Sequence, residues 1–142
     1  MRIGSRLSVH ERRHSSNDER HLVDTHVFPW FESDSPLLSK RARTLIERTD
    51  KAVYLSAVSF WEIAIQAARR QARLRRLAAR GGGFIELAID ALDAETAGAL
   101  EWHHRDPFDR MLVAQCLNRS LTLVTANAAL RVRRGIPVIW AG

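Results

Sequence analysis

The chain has 142 residues, enough for one domain with a sizeable core, and its 46% hydrophobic content excludes a disordered polypeptide. No apolar run reaches the length of a membrane-spanning helix, and the single cysteine, Cys116, excludes an internal disulfide. The formal net charge of +6 favours polyanionic partners, nucleic acid first. Five Arg against three acids in residues 1–21 supply only part of it, so the remaining chain is basic too.

Residues 1–21 are polar and charged and lack the apolar centre of a secretory signal. They read as a flexible basic extension ahead of a domain over 22–142, and the expected compartment is the cytoplasm. A strand runs into Asp24, short unless residues around Glu19–His21 extend it, followed by an apolar cluster at Val27, Phe28 and Trp30. Ser39 is placed to cap a helix reaching Arg48, and Val53–Leu55 forms the next strand. Ser59 and Glu62 have capping-box spacing, which predicts a helix starting there. That helix continues through an arginine stripe, Arg69, Arg73, Arg76 and Arg80, to Gly81–Gly83. Phe84–Ile89 is extended, and Asp93 caps a short helix over Ala94–Leu100. Asp106–Pro107 reads as N-cap and first residue of a helix to about Asn118. Leu121–Val124 and Ile136–Trp140 are strands, separated by a short helix near Ala128–Val132. Strands alternating with helices predict an α/β domain with a mainly parallel sheet.

In such a sheet ligands bind beyond the carboxyl ends of the strands. Asp24 ends the first strand, Glu62 and Asp109 lie near helix starts, and Asn127 follows the fourth strand. Acids gathered at one edge repel one another unless a cation joins them, and hard oxygen donors suit Mg²⁺ or Mn²⁺. Each residue also has a plainer use. Glu62 can close a capping box, Asp106 can be an N-cap only, and Asp109 can complement the helix dipole. Asp24 is harder to dismiss, because a carboxylate directly after a buried strand needs a partner. His26 is either a polar group beside the site or structural. His103 and His104 read as surface or loop residues, since adjacent side chains diverge. Trp30, Trp61, Trp102 and Trp140 read as core or interface anchors. The arginine stripe suits RNA phosphates, an acidic protein, or simply solvent.

Five segments occur in a telling order: LVDTH at 22–26, SAVSFWEIAI at 56–65, HHRDPFDRMLVAQ at 103–115, LTLVTAN at 121–127 and IPVIWA at 136–141. Together they resemble the PIN-domain ribonucleases, specifically VapC-type toxins of type II toxin–antitoxin modules. The resemblance implies a three-layer α/β/α sandwich that cleaves RNA with Mg²⁺ or Mn²⁺. It places Asp24, Glu62 and Asp109 at the catalytic, metal-binding positions, with Asp106 a secondary candidate. It further implies a homodimer silenced by a VapB-like antitoxin, which gives the stripe at Arg69–Arg80 a second use. Asn127 stands where the family usually has Asp; its carbonyl can still coordinate, but without charge. The stretch between Gln66 and Phe84 is also shorter and richer in Arg and Gly than usual. Three functions therefore compete: a metal-dependent endoribonuclease, a weakened PIN domain that binds RNA or antitoxin without efficient cleavage, and an interaction module with capping acids only.

Overall fold

The structure, a computed structural model, describes residues 20–48, 52–66, 84–132 and 135–142. The arginine stripe, the triple glycine and most of the basic extension lie outside the described residues. The elements are β1 (Arg20–Val23), α1 (Val27–Glu32), α2 (Lys40–Glu47), β2 (Ala52–Ser56), α3 (Ala57–Gln66), β3 (Phe84–Leu87), α4 (Ala91–Ala99), α5 (Pro107–Arg119), β4 (Thr122–Thr125), α6 (Ala128–Arg131) and β5 (Val138–Trp140). The five strands form one sheet of order β3-β2-β1-β4-β5, and every pairing is parallel.

The central strand shows why the sheet needs cover on both sides. Leu22 and Val23 are both fully buried, and successive strand residues point to opposite faces. Val23 joins a cluster with Val27, Phe28, Ala42, Ile46, Phe60 and Ile63, from helices α1, α2 and α3. Leu22 joins the other, with Leu112, Val113 and Cys116 of α5 and Leu130 of α6. Leu123 and Val124 of β4 divide between the same two clusters. The result is the expected three-layer sandwich. Burial pushes the Cys116 thiol up, so it serves as packing rather than as a nucleophile.

Three boundaries differ from the sequence reading, each for a local reason. β1 starts at Arg20, so the strand takes the longer form allowed around Glu19–His21 and the extension ends before residue 21, because His21 pairs with both Val53 and Thr122 and is buried. Helix α3 starts at Ala57, straight out of β2. The Ser56 hydroxyl accepts from the Val58 N–H at 3.0 Å, and Ser59 is buried within the first turn rather than capping it. Glu62 is therefore no capping-box residue. Helix α4 starts one turn earlier than predicted: Asp90 is the cap, accepting from the Asp93 N–H, while Asp93 accepts from the Asp90 N–H. The Asp106 cap is as expected, with its carboxylate accepting from the N–H groups of Phe108 and Asp109.

Candidate functional site

Strand order sets the site. The chain leaves β1 toward β2 on one side, and later returns to β4 on the other, so the crevice opens where β1 and β4 end. Asp24 follows β1 and its N–H donates to Val124 O, continuing the β1–β4 ladder by one residue. Helix α5 runs back against the strands, which puts its first turn, with Asp106 and Asp109, at the same edge. Glu62 comes from α3, after β2.

Asp24 is 3% exposed and clasped by its neighbours. One oxygen accepts from the Thr25 N–H at 2.6 Å and the other from the Thr125 hydroxyl at 2.7 Å. Burial still raises its carboxyl above the ordinary range, outweighing the Thr125 bond, and the charge of Asp109 adds to the rise. Glu62, half-buried, is raised first by burial and then by Asp106 and Asp24, against hydrogen bonding from Thr25. Asp109 is likewise raised by burial, with Asp106 and Glu62 adding to the rise while His104 draws it down. The three acids, 85 residues apart at the extremes, thus sense one another's charge. Exposed His26 draws Asp24 and Glu62 down, and that is its place in the site.

Sequence reasoning missed two features. One is a hydroxyl set beneath the acids: Thr25 and Ser59 share a hydrogen bond of 2.9 Å. The other is His104, read as a surface or loop residue. Its Nε2 lies 2.6 Å from Asp109 Oδ2. Among the described residues, the group of candidate ligands drawn within 4.8 Å is His104, Asp106 and Asp109. Asp24 and Glu62 stand outside that tight group and join it through charge. Asn127 faces the site with its amide N–H, which donates to Asp109 Oδ2 at 3.2 Å. Its carbonyl oxygen is occupied in capping α6 through the Ala129 N–H. The side chain therefore supplies a donor where an acid would supply a charge.

Of the tryptophans, Trp61 is 55% exposed and stacks edge-on against Phe108, with ring centroids 4.8 Å apart, bridging α3 and α5 beside the acids. Trp102 packs against His104, Trp140 lies under Arg131, and Trp30 packs on the core.

The PIN domain family profile matches residues 21–135, and the chain belongs to that family. Similar solved folds are VapBC2 from Rickettsia felis bound to a promoter DNA fragment (13% identity, 86% of this chain and 98% of that one, TM-score 0.67) and a toxin–antitoxin complex from Klebsiella pneumoniae (24% identity, 84% and 95%, TM-score 0.61). A third is DNA-bound VapBC from Salmonella typhimurium (20% identity, 86% and 98%, TM-score 0.60). Comparison with curated protein sequences found no match. No helix among the described residues is long and apolar enough to cross a membrane.

Proposed function

We propose that this chain is a divalent-metal-dependent endoribonuclease of the VapC type, the toxin of a type II toxin–antitoxin module. The observation that carries the reading is the convergence of Asp24, Glu62 and Asp109 at the strand ends of a PIN fold, each carboxyl raised by burial and by a neighbouring acid. Such a set is costly without a cation, and its hard oxygen donors fit Mg²⁺ or Mn²⁺. Asp24, Glu62 and Asp109 would hold the ion, with Asp106 close behind. When bound, the ion supplies Lewis-acid polarisation and a water acidic enough to attack a phosphodiester near neutral pH. Thr25 and Thr125 fix the Asp24 carboxylate, and the hydrogen bond from Asn127 orients Asp109. An open groove of about 410 Å³ borders this edge, lined by Gly98, Trp102, His103, Arg105 and Arg110. The exposed guanidinium of Arg105 suits an RNA backbone. Support for a VapB-like antitoxin partner comes from the similar folds, which are toxin–antitoxin complexes. A homodimer and a cytoplasmic setting complete the reading. Purified protein should cut RNA with added Mn²⁺ or Mg²⁺, stop in EDTA, and lose about 100-fold or more in Glu62→Gln. Cutting indifferent to both EDTA and Glu62→Gln would sink the proposal.

Asn127 favours a second reading, a PIN domain that binds RNA or antitoxin but cleaves weakly. Its amide already serves Asp109, and position 127 adds no charge to those of Asp24, Glu62, Asp106 and Asp109. Asn127→Asp is expected to tighten Mn²⁺ on the order of tenfold by calorimetry, the scale of one added charge near a cation. It should also lower the melting temperature in EDTA, where the new carboxylate faces Asp109 uncompensated. A variant with unchanged Mn²⁺ affinity would show that the fourth acid is dispensable here.

A further inference from the structure

We propose that His104 is a nitrogen ligand of this site, converting an all-oxygen set into a mixed one that takes Mn²⁺ in preference to Mg²⁺. The inference rests on the divalent-metal reading above.

Three observations carry it. First, the spacing is right. Two ligands at right angles on an ion with bonds of about 2.1 Å stand about 3 Å apart. His104 Nε2 and Asp109 Oδ2 are 2.6 Å apart, so a few tenths of an ångström separate their hydrogen bond from shared coordination. The Asp106 carboxylate lies within 4.8 Å of both ligand atoms.

Second, the imidazole is held in place by more than Asp109. The Trp102 ring packs against it at 4.7 Å between centroids. Arg110 donates to the carbonyls of Trp102 and His104, each at 3.0 Å, and to those of Ala97 and Leu100 at 3.0 and 2.8 Å. Arg110 is the residue after Asp109 on α5. One guanidinium therefore ties the loop carrying His104 to the turn of helix carrying Asp109, which fixes two donors relative to each other before any ion arrives.

Third, the donor chemistry selects. Mg²⁺ is bound through oxygen and retains its waters, whereas imidazole nitrogen is a donor to first-row transition ions, of which Mn²⁺ is the one that keeps the preference for carboxylates that the rest of this site supplies. Asn127, whose oxygen is committed to capping α6, subtracts an oxygen donor from the same site. His104 compensates with nitrogen rather than with charge.

The test is the electron spin-echo spectrum of Mn²⁺ bound to the full chain, which reports a coordinated ¹⁴N directly. Wild-type protein should show modulation from one imidazole nitrogen, absent in His104→Gln. Calorimetry should find Mn²⁺ affinity lower by about 10–100-fold in that variant, with Mg²⁺ affinity, measured by competition, changing much less. A wild-type spectrum without modulation is read without any variant, and a signal that is present is assigned to His104 by its loss in His104→Gln with Mn²⁺ still bound. Bound Mn²⁺ with no nitrogen modulation overturns the role of His104 and leaves the metal reading standing. Modulation that persists in His104→Gln overturns it equally. No Mn²⁺ binding at all overturns both.

Discussion

Asp24→Asn is expected to abolish metal-dependent cleavage and, in EDTA, to make the protein more stable. Both outcomes follow from one feature. Asp24 is 3% exposed, and burial lifts its carboxyl above the usual range even though Thr125 and Thr25 both donate to it. A raised carboxyl is one whose charged form costs the fold stability: the penalty is present above its folded-state pKa and relieved as pH falls through that value. The amide of Asn removes the charge and keeps the shape. Its oxygen still accepts from the Thr25 N–H, and its NH₂ donates to the second lone pair of Thr125 Oγ1, the first being taken by the Asn127 N–H at 3.0 Å. The gain in EDTA should be on the order of 1 kcal/mol, or roughly 3 °C in melting temperature for a domain of this size. Added Mn²⁺ should raise the wild-type melting temperature and leave the variant's nearly unchanged. Cleavage should fall about 100-fold or more. A variant that melts lower than wild type in EDTA would mean that Asp24 is a structural acid, held for its hydrogen bonds rather than for a cation.

The reach of sequence reading differs from residue to residue, and the difference is physical. The start of α5 was legible because cap chemistry is local: Asp106, Pro107 and the N–H groups of Phe108 and Asp109 lie within four residues. The alternation of strands and helices gave the sandwich, since buried parallel strands leave continuous apolar runs such as Leu121–Val124. Asp24 stood out because a carboxylate ending a buried strand demands an explanation. Capping-box spacing misled at Ser59–Glu62, where β2 enters α3 with no loop and Ser56 does the capping. The cap of α4 was read one turn late, at Asp93, because Asp90 and Asp93 are both acids of one reciprocal box. His104 was not legible as a site residue. Its approach to Asp109 depends on how the loop after α4 folds back, and that is set by Arg110 reaching five carbonyls along residues 97–104. Asn127 was legible as a departure from the family, but which end of its amide faces the acids follows from the Ala129 N–H claiming its oxygen.

Asp93→Ala carries the largest expected loss of stability, about 2–3 kcal/mol, because it removes the acceptor shared by several donors around a buried carboxylate, while Arg119, 23% exposed, turns to water. Asp93 is fully buried at the packing of α4 against α5. Arg119 meets it with both terminal nitrogens, at 2.5 and 2.8 Å, while Asn118 and Gln115 donate at 3.0 and 3.3 Å. Burial pushes the Asp93 carboxyl up, but these donors and the Asp90 N–H outweigh it and hold the group well below the usual carboxylate range. Truncation removes the acceptor of all of them. Among the described residues, Arg119 keeps the longer contact to Asp90, 3.3 Å, at a side chain that is 60% exposed. The capping box of α4 opens at the same time, since the Asp90 N–H loses its partner. The melting temperature should fall by roughly 10 °C at neutral pH. The pH dependence has a definite sign. A depressed carboxyl contributes stability that is fully present above its unfolded pKa, near 4, and is lost as pH falls through the lower folded value. The gap between wild type and variant should therefore be constant from pH 7 down to about 5 and narrow below 4, as seen in denaturant titrations at each pH. Mn²⁺ binding to the folded variant should be unaltered, because Arg119 and Asp109 lie ten residues apart along α5, about 15 Å. A variant that lost Mn²⁺ binding while still folded would show instead that the α4–α5 packing itself positions the acids.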